Sequence, residues 1–427
     1  MTYLNYKDIY NLRLFTIFAV LAEMVHVYIN DAPPIYLRLA YIGIYLAFCF
    51  YNIKLIPFFT TINLILERFS ISFGEFLPNT LWWHVIILFI GFSIWFKDHK
   101  PIYYCCGTYE YLSLIFFLFV VVSNYVININ IVNDLGFVTN VLFSILFLQC
   151  IFAYSTAEIK LLVQFIILST FIMVILSLTH YNDLTINFHT TSGYVERLQW
   201  KDSNYISFFI GIISLITLFF FRKDIGNKQL FYIVSILLFI IAICLLLSRG
   251  TILFFTISLI YYYRKDIFKV TSIKYSILIW VILAVSYQIG FFDNIIERFL
   301  SEDFETGSGR INIWRQGLNT FFSKDIFTII FGAGVNQAIY MASMNDINWS
   351  THNNYLEILF NYGLVGLIVF LFFLLSMLFS CNSNEKRTIV LYIILSCMTI
   401  VPFTYVTPIW IIIPIVMIFD NKVLQYE

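Results

Sequence analysis

The sequence predicts an all-α integral membrane protein, a bundle of about 12–14 transmembrane helices with one large loop outside the membrane that carries short helices. Three observations predict it. The 427 residues are 60% hydrophobic and only 12% charged, whereas a soluble domain is about a quarter charged. The apolar residues come in blocks of roughly 15–25, the length a helix needs to cross about 30 Å of hydrocarbon. The blocks are continuous rather than alternating, which selects helices over a β-barrel. Acidic and basic residues balance at 25 each, so no nucleic-acid partner is expected.

In order, the candidate spans are 12–29, 35–53, 55–69, 81–96, 111–129, 137–154, 161–179, 204–221, 230–247, 251–263, 275–291, 354–379, 389–402 and 404–419. The third holds Glu67 and Arg68 and either spans or lies in the interface. Lys7 and Arg13 precede or open the first apolar run without a small-residue cleavage site after it, so this run reads as a retained span. The chain reads as a single polytopic domain, 1–427, with 291–353 as a loop within it.

Cation placement orients the bundle. With the N-terminus in the cytoplasm, sixteen of the 25 lysines and arginines fall inside and nine outside. The reverse orientation puts Arg222-Lys223 and Arg264-Lys265 outside. Both termini are therefore expected in the cytoplasm, and the 291–353 loop in the periplasm or cell exterior. Seven of the nine outside cations are arginine. Arginine presents a fixed fork of donors suited to phosphate, whereas lysine is a mobile point charge.

Within the loop, Arg310, Trp314, Gly317 and Phe321 recur at helical spacing. They predict a short amphipathic helix on the membrane. Phe331-Gly332-Ala333-Gly334 predicts a tight turn. Glu302, Asp303 and Glu305 fit no calcium loop and read as a solvated acidic patch. The seven cysteines form no metal-ligand pattern, and Cys105-Cys106 lacks a second pair. No metal and no other cofactor is expected.

Four features outside the membrane carry candidate chemistry. Arg249 sits in a three-residue turn, Ser248-Arg249-Gly250, between two apolar blocks. A charge there costs a few kcal/mol unless paired or wet. It either snorkels to headgroups or lines a polar cavity that takes an anion. Arg310 opens the amphipathic helix. Arg197 precedes a span. His352 precedes the helix starting near Asn354, for which Asn354 and Glu357 suggest a capping box. The positive end of that helix favours a neutral imidazole, the form a general base needs. The competing reading is a polar residue at a membrane boundary. Gly363 and Gly366 suggest close helix packing. Trp200, Trp314 and Trp349 suit either sugar stacking or an interfacial belt.

Taken in order, Ser248-Arg249-Gly250, Gly309-Arg310 with Trp314, Phe331-Gly332-Ala333-Gly334, and His352-Asn353 followed by Gly363-Leu364-Val365-Gly366 resemble the O-antigen ligase and O-antigen polymerase superfamily. Arg197 with Asp202-Ser203-Asn204 resembles that family's segment before a central span. The resemblance covers roughly 190–370. It implies a metal-independent inverting glycosyltransferase of the bacterial inner membrane, acting on its periplasmic face. The implied donor is a glycan on undecaprenyl pyrophosphate. Arg249 and Arg310 would grip the pyrophosphate, with Arg197, Asn353 and Trp314 as further substrate contacts. His352 would act on the acceptor hydroxyl. The implied partners are the lipid-linked glycan, a chain-length regulator and a flippase. Repeat-unit polymerase is the first expectation and ligation of the polysaccharide to lipid A–core the second. A transporter or flippase is third, because it calls for repeated halves with matching broken helices, which the sequence does not display.

Overall fold

The computed structural model describes residues 6–29, 35–69, 155–179, 185–190, 193–198, 203–223, 229–265, 309–334, 337–341, 350–405 and 409–423, together with isolated positions at 86, 87, 89, 147, 293 and 296. The predicted spans at 81–96, 111–129, 137–154 and 275–291 lie almost wholly outside these residues. So do the acidic cluster at 302–305, Trp200 and Trp349.

The described helices are α1 (Tyr6–Ile29), α2 (Ile35–Tyr51), α3 (Ile56–Phe69), α4 (Thr156–Thr179), α5 (Ser203–Lys223), α6 (Gln229–Leu245) and α7 (Arg249–Tyr263). After them come α8 (Arg310–Phe322), α9 (Ile326–Phe331), α10 (Gln337–Met341), α11 (Asn354–Phe379), α12 (Asn384–Ser396), α13 (Pro402–Tyr405) and α14 (Ile409–Val423). One departure from an all-α reading is an antiparallel hairpin, β1 (Thr185–Thr190) and β2 (Gly193–Leu198), in which Ile186 pairs with Arg197. Thr, Ile, Phe, Tyr and Val in these strands favour the extended backbone, and the segment is too short and polar to cross a membrane as a helix.

Among the described residues, Ala157–Thr179 and Asn354–Phe379 are each long and apolar enough to cross a membrane. The pair expected as two spans, 35–53 and 55–69, is a bent unit: Leu39–Tyr51 and Ile53–Ile65 meet at 114°. The bend falls at Asn52, whose side chain leaves the helix to donate to the Asp8 carboxylate of α1.

Among the described residues most helices pack around a main apolar core, with α5 against α6, α7 against α12, and α3 against α4, and a smaller cluster of Phe321, Ala338, Met341, Leu359 and Phe360 lies beside it. Buried hydroxyls turn back onto their own helix: Ser214 donates to Ile210 O at 2.7 Å and Thr217 to Ile213 O at 2.6 Å. That satisfies them where no water competes. Leu230, Leu237, Ile260, Ile368, Phe372 and Phe379 point outward and are exposed. Such apolar outer faces suit contact with lipid. With lipid as apolar as the core, close packing and internal hydrogen bonds hold the helices together. The ring cluster of Phe370, Phe373, Phe403 and Trp410 is one such contact, locked by Trp410 Nε1 donating to Phe403 O at 3.0 Å.

The loop elements join the bundle at a break in α11. Gly363 has φ +70°, which interrupts the helix and releases carbonyls upstream. Two backbone N–H groups fill the gap: Ala333 donates to Phe360 O and Gly334 to Asn361 O, both at 3.0 Å. Asn361 Oδ1 takes a third, from Ala338 N at 3.0 Å. A side chain on Gly363 would collide with Ile330 O, and one on Gly332 (φ +90°) with Asn361 O. The predicted turn at 331–334 is therefore the joint between loop and membrane helix. The packing expected of Gly363 is real, but its partner is this inserted backbone.

Candidate active site

The predicted amphipathic helix is α8, running over Arg310–Phe322 with Ile313, Gly317 and Phe321 buried. Phe321 packs on Phe360 of α11, which seats α8 over the start of that helix. Trp314 Nε1 donates to Thr351 O at 2.7 Å, so the indole is tied to the residue before His352.

The last turn of α12 organises what lies around it. That helix was expected over 389–402; it ends at Ser396, and 397–400 turns back before Pro402 opens α13. Proline suits the first position of a helix but not the interior of one, so the apolar run divides here. The carbonyls left at this helix end take donors from two other elements. Arg310 Nη1 donates to Thr399 O at 2.8 Å. Asn354 N donates to Cys397 O at 2.8 Å. Val401 N donates to Tyr205 Oη of α5 at 3.3 Å. Gly250, the neighbour of Arg249, lies so close that an added Cβ would stand 2.5 Å from Thr399 Oγ1.

The neighbouring contacts are polar and buried. Ser248 precedes α7 and donates to Asn204 Oδ1 at 3.1 Å, and its Oγ lies 3.2 Å from Thr251 Oγ1. Ser207 and Thr251 share a 2.8 Å bond. Four helix N-termini thus meet at one end of the bundle: α5 at Ser203, α7 at Arg249, α8 at Arg310 and α11 at Asn354. Each contributes the partial positive charge of its helix dipole, although the first N–H groups of α11 are already taken up by Cys397 O and the Asn353 side chain. Two of them also begin with an arginine, placed where a cation gains nothing from its own helix dipole. Together they form a region of positive potential at a junction of several elements, and such ends favour anions.

His352 sits at the edge of this region. Its backbone has φ +46°, the left-handed conformation, which costs a side chain other than glycine about 1–2 kcal/mol. The neighbours on both sides are pinned. Thr351 is buried and held by Trp314 and Glu357. Asn353 caps α11, its Oδ1 accepting from Tyr355 N at 3.0 Å and Leu356 N at 3.2 Å. The cap is thus one residue earlier than expected, at Asn353 rather than Asn354, because the Asn354 side chain accepts from Phe403 N at 3.2 Å instead. The His352 ring is half-buried and its Nδ1 is sealed from solvent.

The structure therefore brings Arg249, Arg310, Trp314, His352 and Asn353 to neighbouring positions around residues 351 and 397–401. Arg197 is placed on β2, with its side chain outside the described residues. Residues 233–371 match the family model described as O-Antigen ligase. The matched segment runs from within α6 to within α11 and contains all five of the convergent residues. Over it the chain is similar to the O-antigen ligase and polymerase superfamily. Arg197, Asn204 and Thr399 lie outside the O-antigen ligase-like segment. Comparison with curated proteins gives no match, and neither does comparison with solved structures.

Thr399 and Thr351 were not singled out from sequence, and Asn204 entered only within the Asp202-Ser203-Asn204 segment of the resemblance. Thr399 had a signal: it is a polar residue at the end of an apolar run, three before a proline. Thr351 had none of its own, because it takes its place through Trp314 and Glu357.

Proposed function

We propose that the protein is an inverting membrane glycosyltransferase that polymerises O-antigen or capsule repeat units carried on undecaprenyl pyrophosphate. The observation that carries this reading is the meeting of four helix N-termini, two of them opened by Arg249 and Arg310, beside a strained His352. A pyrophosphate leaving group suits such a region. In the reaction, the acceptor hydroxyl oxygen attacks the anomeric carbon of the donor glycan. The bond from that carbon to the pyrophosphate oxygen breaks on the opposite face, and its electron pair leaves on the phosphate. The hydroxyl proton passes to His352. Guanidinium forks and fixed N–H dipoles placed where charge develops stabilise the transition state. With Nδ1 sealed, His352 works through Nε2. Arg197 adds charge from the hairpin before α5.

The site faces the periplasm of a bacterial inner membrane, with both termini cytoplasmic. A chain-length regulator and a flippase act with it. The balanced charge of the chain favours a lipid-linked repeat unit as acceptor over phosphate-rich lipid A–core, which is the ligase alternative. A transport path is disfavoured because the break at Gly363 is plugged by the backbone of 333–334.

The test is His352→Ala in the producing strain. Loss of polymer at normal protein level is expected, and full-length polysaccharide would overturn the reading. A deletion strain separates the alternatives. One repeat unit capped on core marks a lost polymerase. Bare core with lipid-linked polymer marks a lost ligase.

A further inference from the structure

Glu357 is fully buried in the first turn of α11. A carboxylate in such a place needs bonds that offset its lost hydration. In a capping box the acid three residues after the cap reaches back to the backbone N–H of the cap residue, whereas Glu357 lies four residues after Asn353. Here a hydroxyl stands between them. Asn353 N donates to Thr351 Oγ1 at 3.3 Å, and Thr351 Oγ1 donates to Glu357 Oε2 at 2.9 Å. The relay encloses one residue, His352. On the other side of the carboxylate, Asn361 Nδ2 lies 3.5 Å from Glu357 Oε1, and Asn361 Oδ1 accepts from Ala338 N. Thr351, Glu357 and Asn361 are each no more than 1% exposed. A continuous buried chain of polar groups thus runs from the His352 backbone to the loop elements seated in the α11 break.

We propose that Glu357 is a positioning residue which, through the Thr351 hydroxyl, holds His352 in its left-handed conformation and so aims the imidazole at the acceptor. This rests on the reading of His352 as the base. The Thr351 hydroxyl has one proton, and the Glu357 carboxylate is its nearest acceptor; Asn353 O is at 3.2 Å. Without the carboxylate, the hydroxyl can swing to Asn353 O and stop accepting from Asn353 N. The histidine then relaxes out of its strained dihedral. A base displaced by about 1 Å costs on the order of 100-fold in rate.

The experiment uses the full chain in membranes, fed lipid-linked repeat units extracted from a strain lacking the protein. Thr351→Val and Glu357→Ala should each lower kcat on the order of 100-fold with KM for the lipid-linked units within about threefold. Thr351→Ser keeps the hydroxyl and should stay near wild type. Glu357→Gln keeps an acceptor oxygen at the same reach and should retain most of the rate. The double variant Thr351→Val/Glu357→Ala should lose no more than either single variant, because both remove one relay. Wild-type kcat in Thr351→Val and Glu357→Ala, or fully additive losses, would sink the proposal. So would an equally inactive Glu357→Gln with an unchanged melting temperature, a result that stays decisive if the valine or alanine variant fails to fold. The arms separate from the broader reading. An active His352→Ala defeats the base assignment, whereas an inactive His352→Ala beside fully active Thr351→Val and Glu357→Ala defeats only the positioning role.

Discussion

Arg310 makes one contact in the structure and has a second role in the proposed reaction, and a lysine could not serve both. One guanidinium nitrogen closes the end of α12 at Thr399 O, and a guanidinium has further N–H donors in a fixed fork. Arg310→Lys should keep part of the first task and lose the second. Polymer formation should fall by a factor on the order of 10²–10³, as for loss of one preorganised donor to a developing charge, with protein level near wild type. The rate of lipid-linked repeat-unit consumption checks this. Gly250 gives a second prediction at the same scale. Gly250→Ala puts a methyl 2.5 Å from Thr399 Oγ1, so the Arg249 turn and the Arg310 acceptor must move apart. Activity should drop, and Thr399→Ala in the same chain should recover part of it by removing the opposing oxygen. No recovery would mean that the two turns are not in contact.

At the scale of elements, the joint at Gly363 carries most of the weight. A helix interrupted inside an apolar segment has free carbonyls that nothing in a lipid environment would satisfy. Here the backbone N–H groups of Ala333 and Gly334 satisfy them. Gly363→Ala adds strain of about 1–3 kcal/mol at a positive φ, together with a collision against Ile330 O. The variant should melt several degrees lower and become more sensitive to proteolysis within 326–341. Its α11 segment should still insert, since the segment remains as apolar. An unchanged melting curve would show that the joint is not needed. Asp325 begins the same loop unit by capping α9 through Thr328. The bonds from the Thr328 hydroxyl and N–H hold its carboxyl below the usual range.

At the scale of the whole molecule, the candidate site and the connection from α11 to α12 lie at opposite ends of α12, a helix about 20 Å long by its rise per residue. The site end holds Arg249, Arg310 and His352. The other end holds Asn382, Lys386 and Arg387. If the proposed orientation is right, a chain depleted of its own cysteines should show a simple labelling pattern. Asn312→Cys, exposed on α8, should react with a membrane-impermeant maleimide in cells whose outer membrane has been permeabilised. Asn382→Cys, also exposed, should react only after the inner membrane is opened. The opposite pattern would place the site in the cytoplasm and remove the lipid-linked donor from reach.

How much of this could be read in advance varies with the distance over which the cause acts. Membrane character, the amphipathic helix at 310–322 and the glycine turn at 331–334 follow from local properties: length of apolar run, spacing of side chains, and backbones that only glycine tolerates; the docking of that turn into the break at Gly363 does not. The residues Arg249, Arg310 and His352 were also legible, each as a polar group that an apolar chain would not hold without cause. Other features depended on packing. Asn353 rather than Asn354 caps α11 because Phe403, 49 residues on, claims the Asn354 side chain. The apolar run after 389 divides ahead of Pro402, but packing brings Arg310 and Asn354 to the carbonyls freed there. Thr399 and Thr351 matter only through the partners the fold brings to them. By itself the sequence determined the class of protein, and it offered the polar residues and the reaction type on which the proposed function rests. The tertiary structure decided that four helix N-termini share one corner and that His352 is held strained between pinned neighbours, because helix dipoles and buried hydrogen bonds act only between groups that the fold has already placed together.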